Sequence, residues 1–388
     1  MTLPDPATTD PVDVAAALCD VPSVSGEETA LADAIEAALR GRPHLDVVRD
    51  GDCVVARTAL GRAARVIVAG HIDTVPLAGN LPSRRFVVDA GAGAGGDAAA
   101  GAETTAGTEV LWGRGSVDMK GGVAVALHLA ATLTAPRWDV TWVFYDHEEV
   151  SSDLNGLGRA ARNHPEWFMG ADLAILGEPT NAGIEGGCNG TLRVAVTTRG
   201  RVAHSARAWL GVNAVHAAAP VLARLAAYEA RTVTVDGLDY RESLGAVGIT
   251  GGVAMNSVPD TCTVQVNYRF APSTTGDDAL AHVRELFAGL DVEIRLQDVA
   301  PGARPGLDHP VAAGFVRAVA AATGREPVAK VGWTDVARFA ALGIPAVNYG
   351  PGDPGLAHAD DEQCPTQQIH SCAAGLRAWL TEGEDTTS

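Results

Sequence analysis

RVIVAGHID, residues 65–73, is a short apolar, β-branched run that ends in two chemically capable side chains, His71 and Asp73. Five consecutive apolar or near-apolar residues without alternation read as a strand buried on both faces, the kind found inside a parallel sheet. The carboxyl end of such a strand is where open α/β sheets build their sites. Downstream, helical periodicity over 121–133 and strand patterns over 140–145 and 172–176 continue a β/α alternation, which implies a largely parallel sheet. Upstream, 13–19 reads as a helix and 47–56 as a hairpin about Gly51, while Ser25-Gly26-Glu27-Glu28 has the spacing of a capping box before a helix that runs to Arg40.

After Thr180 the pattern changes. A strand at 191–198, a helix at 211–230, strands at 245–251 and 261–270, a helix at 277–290 and a strand at 292–296 follow the βαββαβ order of a ferredoxin-like α+β unit. From about Asp308 the helix and strand alternation resumes, through 344–348 to a last helix over 366–380. The expected architecture is therefore an α/β domain of residues 1–182 and 298–388, interrupted by a smaller domain of residues 183–297. Between Asp89 and Thr108 the chain is almost wholly Gly, Ala, Asp and Thr, a composition that cannot fill a core and reads as a surface insertion.

The 388 residues carry a formal charge of −18, which disfavours nucleic acid and anionic lipid as partners. No apolar run approaches the roughly 18 to 20 residues of a membrane-spanning helix, and the N-terminus, MTLPDPATTDPVDV, has no basic cluster before an apolar stretch. The six cysteines form no C-x-x-C pair, so neither a disulfide framework nor a thiolate zinc site is expected. These features together point to a cytoplasmic protein.

Part of the acid falls in a pattern. Asp118 precedes a helix in GRGSVDMKGG, Glu148 and Glu149 follow the strand VTWVFYD, and Glu178 follows ADLAI in LGEPT. Each alone is read more readily as a helix cap or a solvated loop carboxylate. Gathered with His71 at one edge of a sheet, they would be costly unless protons or metals neutralised them. Asp118, Glu149 and Glu178 with one bridging hydroxide carry four negative charges, which two divalent ions would balance. Imidazole and carboxylate donors without thiolate suit zinc, with cobalt or manganese as substitutes, better than magnesium or calcium. The glycines at 113, 115, 121 and 122 match neither phosphate-loop spacing, and read as places where the backbone approaches the metal centre closely.

The strings HIDTVP, GRGSVDMKGG, YDHEEV, LGEPT, GRVAHSARAWLGVNA, MNSVPD and NYGPGDPGLAHADDE, in this order from Gly70 to Glu362, resemble the successive motifs of the acetylornithine deacetylase and succinyl-diaminopimelate desuccinylase family of metallohydrolases, and most of all its actinobacterial desuccinylase branch. The resemblance implies a zinc-exopeptidase-like catalytic domain with an inserted dimerisation domain, and hydrolysis of the amide of a small acylated amino acid. It makes Asp118 the bridge between two zinc ions, with His71 and Glu178 completing one and Glu149 and His358 the other. It makes Glu148 the general base and Asp73 the carboxylate that orients His71. His204 would reach an active site, its own or that of a homodimer partner, and donate to the oxyanion; a surface histidine capping the next segment is the alternative. Asn256 and Arg269 match substrate-gripping positions, and Arg207 is a second candidate for holding a carboxylate, although Arg269 reads equally as a solvated strand residue. Acetylornithine deacetylation, carboxypeptidase-type hydrolysis and a non-catalytic protein that binds amino acid derivatives are the competing functions.

Overall fold

The computed structural model describes residues 2–88 and 107–381; the Gly/Ala-rich stretch from Asp89 lies outside them except for Gly107 and Thr108. The chain divides into two compact units, one of Met1–Glu185, Gly306–Pro327 and Arg338–Ser388, the other of Gly186–Pro305 and Val328–Ala337. The sequence reading ran the outer domain through 298–388 without interruption. Val328–Ala337 is drawn into the second unit because its strand Val328–Ala329 lies against Leu238–Arg241 and Lys330 bonds to the backbone of Gly186 and Asn189.

In the first unit six strands run side by side in the order Asp46–Asp50, Cys53–Arg57, Asp139–Tyr145, Arg65–His71, Leu173–Leu176, Ala346–Asn348. The first two pairings are antiparallel and the rest parallel. Every residue of Asp139–Tyr145 is buried, as a strand covered on both faces requires. The register sets His71 beside Tyr145 and Ala69 beside Leu176, so three strand ends finish at one edge. The helix Lys120–Thr132, apolar nearly all round, buries eleven residues between the sheet and the helices Pro11–Cys19 and Thr366–Thr381. Gly122 is what permits that packing, since a Cβ there would stand 2.1 Å from the carbonyl oxygen of Gly177.

A second, three-stranded antiparallel sheet of Gln363–Pro365, Glu109–Trp112 and Arg84–Val87 was not foreseen from sequence. Its strands are three or four residues long and widely separated in the chain, so no local period marks them. The capping box is also absent. The side chain of Glu28 accepts the Gly26 N–H, but Ser25 donates to Asp73 instead of capping Thr29–Arg40.

The second unit has a four-stranded antiparallel sheet in the order Ser243–Gly251, Thr261–Phe270, Gly190–Arg199, Glu293–Ala300. Numbered along the chain, this is the 2-3-1-4 arrangement of the βαββαβ unit. Thr261–Phe270 alternates strictly, with Cys262, Val264, Val266, Tyr268 and Phe270 buried in one core with Val221 and Val283. The helix expected over 211–230 is two short helices, Ala214–Ala217 and Ala219–Ala226. Pro220, near the start of the second, lacks the N–H that a continuous helix would use.

Candidate active site

The parallel strand Arg65–His71 delivers His71 fully buried at the sheet edge. Its Nδ1–H donates to the carbonyl oxygen of Asp73 at 3.0 Å and its Nε2–H to Asp118 Oδ1 at 3.0 Å. The other oxygen of Asp118, Oδ2, stands 3.5 Å from Nε2 of His358, which lies 3.0 Å from Glu149 Oε2. Asp118 thus turns one oxygen to each histidine. His71, Asp118 and Glu149 offer one ligand atom each, all within 4.8 Å of one another, a grouping able to hold a metal ion.

Electrostatics mark the same place. Burial alone would lower the His71 pKa, but the bonds to Asp118 and Asp73 raise it well above the usual imidazole value. Donation to the Asp118 and Glu149 carboxylates pushes the His358 pKa up to about 10. Burial works against ionisation of Asp118, yet the two histidines hold its carboxyl far below the normal range.

Glu148 and Glu149 sit in the loop after Asp139–Tyr145, not on the strand, so these neighbours escape the alternation that would point them to opposite faces. His147 turns the chain with a left-handed φ of 58°, and His358 has φ 65°; such positions cost about 1–3 kcal/mol each and gather at functional sites. Asp73 pays for the first of these by accepting the Glu148 N–H at Oδ1 and the Glu149 N–H at Oδ2, both at 3.0 Å. From sequence its carboxylate was expected to orient His71. It stands 3.5 Å from Nδ1, but the hydrogen bond to that nitrogen is made by its carbonyl.

Unlike His71, Glu149 and Glu178, Asp118 does not end or follow a strand of the large sheet. It lies in the turn that leads from Glu109–Trp112 into the helix Lys120–Thr132, with a cis peptide to Met119. Glu178 is buried two residues beyond Leu173–Leu176 and is not one of the three clustered ligands. Its backbone is packed against Gly350, where a Cβ would stand 2.5 Å from the Glu178 carbonyl oxygen. Of the glycines expected to approach the metal centre, Gly122 instead lets the helix close on Gly177, while Gly121 packs against Ser116 and Pro351, Gly115 against Lys120 and Gly113 against Ser83.

One residue that shapes the site escaped the sequence reading. Glu362 is fully buried, accepts the Val117 and Asp118 N–H groups at Oε1 (2.8 and 3.0 Å), and pairs through Oε2 with Arg114 at 2.9 Å. It therefore fixes the backbone of Asp118. Among Asp360, Asp361 and Glu362 nothing local distinguishes the one that turns inward.

In the second unit His204 is exposed and pairs with Ser257, and the Asn256 carbonyl accepts the Ser205 N–H. Arg207, in the turn Ser205–Leu210, is also exposed, so these three residues share one corner. His204 Nδ1 accepts the Ala206 N–H at 3.1 Å, which puts the proton of the neutral ring on Nε2. The capping contact and a donor function are thus compatible. Arg269 is elsewhere. It is half-buried near the far end of Thr261–Phe270, roughly 25 Å from that corner at 3.3 Å per residue, with Nε donating to Asn267 and its pKa lowered by burial and then by Arg193.

Residues 67–382 match Peptidase family M20/M25/M40. The chain is 52% identical over 372 residues to the DapE protein of Mycobacterium tuberculosis, covering 96% of this chain and 98% of that one. It is 48% identical over 382 residues to the succinyl-diaminopimelate desuccinylase of Corynebacterium glutamicum, covering 96% of each. Among solved structures, the M20 family metallo-carboxypeptidase Sso-CP2 of Sulfolobus solfataricus superposes with a TM-score of 0.72 at 16% identity, over 96% of this chain and 99% of that one. At that identity the likeness concerns the fold.

Proposed function

The chain belongs to Peptidase family M20/M25/M40, and from that premise we propose that it hydrolyses N-succinyl-diaminopimelate to succinate and diaminopimelate in the cytoplasm. The extensive identity to relatives named for that reaction supports the substrate. The observation that carries the chemistry is Asp118, one of whose oxygens faces His71 and the other His358. Two divalent ions would be held there by Asp118 together with His71 and Glu178 for one and Glu149 and His358 for the other. The donors are imidazole and carboxylate, and all six cysteines are buried and unpaired, which favours zinc, with cobalt or manganese as substitutes.

When bound, the ions would lower the pKa of a shared water and polarise the scissile carbonyl. The chain supplies the rest. Glu148 takes the proton of the attacking water on its carboxylate and returns it to the leaving nitrogen. Glu362 and Asp73 keep Asp118 and the 148–149 loop where this transfer needs them. His204 donates Nε2–H to the oxyanion, and Arg269 or Arg207 forms a fork for the substrate's terminal carboxylate, with Asn256 beside His204.

His204 and Arg269 are too far apart in one unit to hold the same small molecule. We read this as the mark of a homodimer in which each subunit lends His204 to its partner. Val247 and Ile249 on the edge strand Ser243–Gly251, Leu222 on the helix Ala219–Ala226, and Trp209 and Val212 before that helix are exposed apolar side chains that such a dimer would cover. Sedimentation should show a dimer at assay concentrations; a fully active monomer at nanomolar concentration would remove this reading.

Zinc-loaded protein assayed against N-succinyl-diaminopimelate, N-acetylornithine and an acylated dipeptide should prefer the first in kcat/KM by about a hundredfold or more, the scale set by leaving a carboxylate-binding arginine unpaired. Preference for either of the others would overturn the substrate.

A further inference from the structure

Ser23, Ser25 and Glu28 belong to a segment that the reaction as described does not use. Ser23 Oγ–H donates to the carbonyl oxygen of Ile72 and Ser25 Oγ–H to Asp73 Oδ2, each at 2.7 Å. The backbones join as well, with Thr74 N–H to the Ser23 carbonyl at 2.9 Å and Ser25 N–H to the Thr74 carbonyl at 3.2 Å. Three residues on, the fully buried carboxylate of Glu28 accepts the His147 N–H at 3.2 Å and the Gly26 N–H at 2.8 Å. His147 Nδ1 stands 3.3 Å from the same carboxylate and 2.7 Å from Asp146 Oδ2.

Three consecutive amides, those of His147, Glu148 and Glu149, are therefore held by two buried carboxylates, Glu28 and Asp73. Ser25 donates to the second of these. A helix-capping role for the segment does not account for these bonds, because neither Ser25 nor Glu28 caps Thr29–Arg40 with its side chain.

We propose that residues 23–28 form a strap that positions Glu148, Ser25 acting through Asp73 and Glu28 through the His147 amide. The inference rests on the reading of Glu148 as general base. Proton transfer needs the carboxylate within about 2.6–3.2 Å of the proton's donor, and displacement by about 1 Å costs up to a hundredfold in rate. Ser25 and Glu28 are thus positioning residues, and their removal should act on turnover more than on binding.

The test measures kcat, KM, bound metal per subunit and thermal midpoint for Ser25→Ala, Ser25→Thr, Glu28→Gln, Glu148→Ala and Ser25→Ala/Glu148→Ala, each loaded with zinc. Ser25→Ala should lower kcat roughly tenfold, with KM and metal content within about twofold of the parent. Ser25→Thr, which keeps the hydroxyl, should recover most of the loss, and Ser25→Ala should cost nothing further once Glu148 is gone. Glu28→Gln reads the same effect through the other arm of the strap, so a folding failure of one variant leaves the other to decide. A parent-like kcat in both single variants overturns the strap, as does a loss that follows metal content or thermal midpoint. An active Glu148→Ala variant would instead defeat the base assignment; an inactive one beside parent-like Ser25→Ala and Glu28→Gln would defeat the strap alone.

Discussion

Replacing Glu148 by alanine should lower kcat by about two to four orders of magnitude, with bound metal per subunit unchanged. The size follows from the absence of a substitute. The neighbouring Glu149 faces His358 at 3.0 Å, and Asp73 is occupied with the loop amides, so neither carboxylate is placed to take over proton transfer. Metal content separates this result from a collapsed site, because the clustered ligands His71, Asp118 and Glu149 are untouched by the substitution. Turnover equal to the parent's would remove Glu148 from the reaction.

Exhaustive chelation should abolish hydrolysis, and zinc or cobalt should restore it; activity that survived chelation would sink the metal-dependent mechanism. The pH dependence has a definite sign. In the metal-free protein both histidines have raised pKa values, that of His358 about 10, so near pH 7 each carries a proton that an incoming ion must displace. Uptake should therefore release about two protons per subunit, and apparent metal affinity should rise with pH towards that value. Stability moves the other way. A histidine whose folded pKa lies above its unfolded value of ~6.5 stabilises the metal-free fold at neutral pH and below, and that contribution is lost as pH climbs through the folded pKa. Calorimetry from about pH 7 to pH 10 should show the metal-free protein losing stability while the zinc form, whose cations replace those protons, changes little.

Placement of the residues proposed to bind substrate limits how far one chain would account for the reaction. His204, Arg207 and Asn256 cluster at one end of the inserted sheet and Arg269 near the other. Alternation along Thr261–Phe270 shows why Arg269 cannot turn into the core, since Tyr268 and Phe270 already fill that face. It is left on the polar face, beside Asn267.

By itself the sequence determined the parallel core, the βαββαβ order of the inserted unit, His71 at a strand's carboxyl end, and Glu148, Glu149 and Glu178 as residues just beyond strands. These are local properties. Strand burial shows in apolar runs of five to seven residues, and a polar residue that follows such a run must emerge at the sheet edge. Resemblance, not periodicity, pointed to His358. Tertiary structure alone decided that Asp118 presents an oxygen to each histidine, that Glu362 holds its backbone, and that the apparent capping box straps the 147–149 loop. Those bonds join residues 119 positions apart in Glu28 and His147, and 244 apart in Asp118 and Glu362. No local period records such pairs, because each partner is an ordinary loop carboxylate or amide until folding takes it out of water and leaves it only one place to bond.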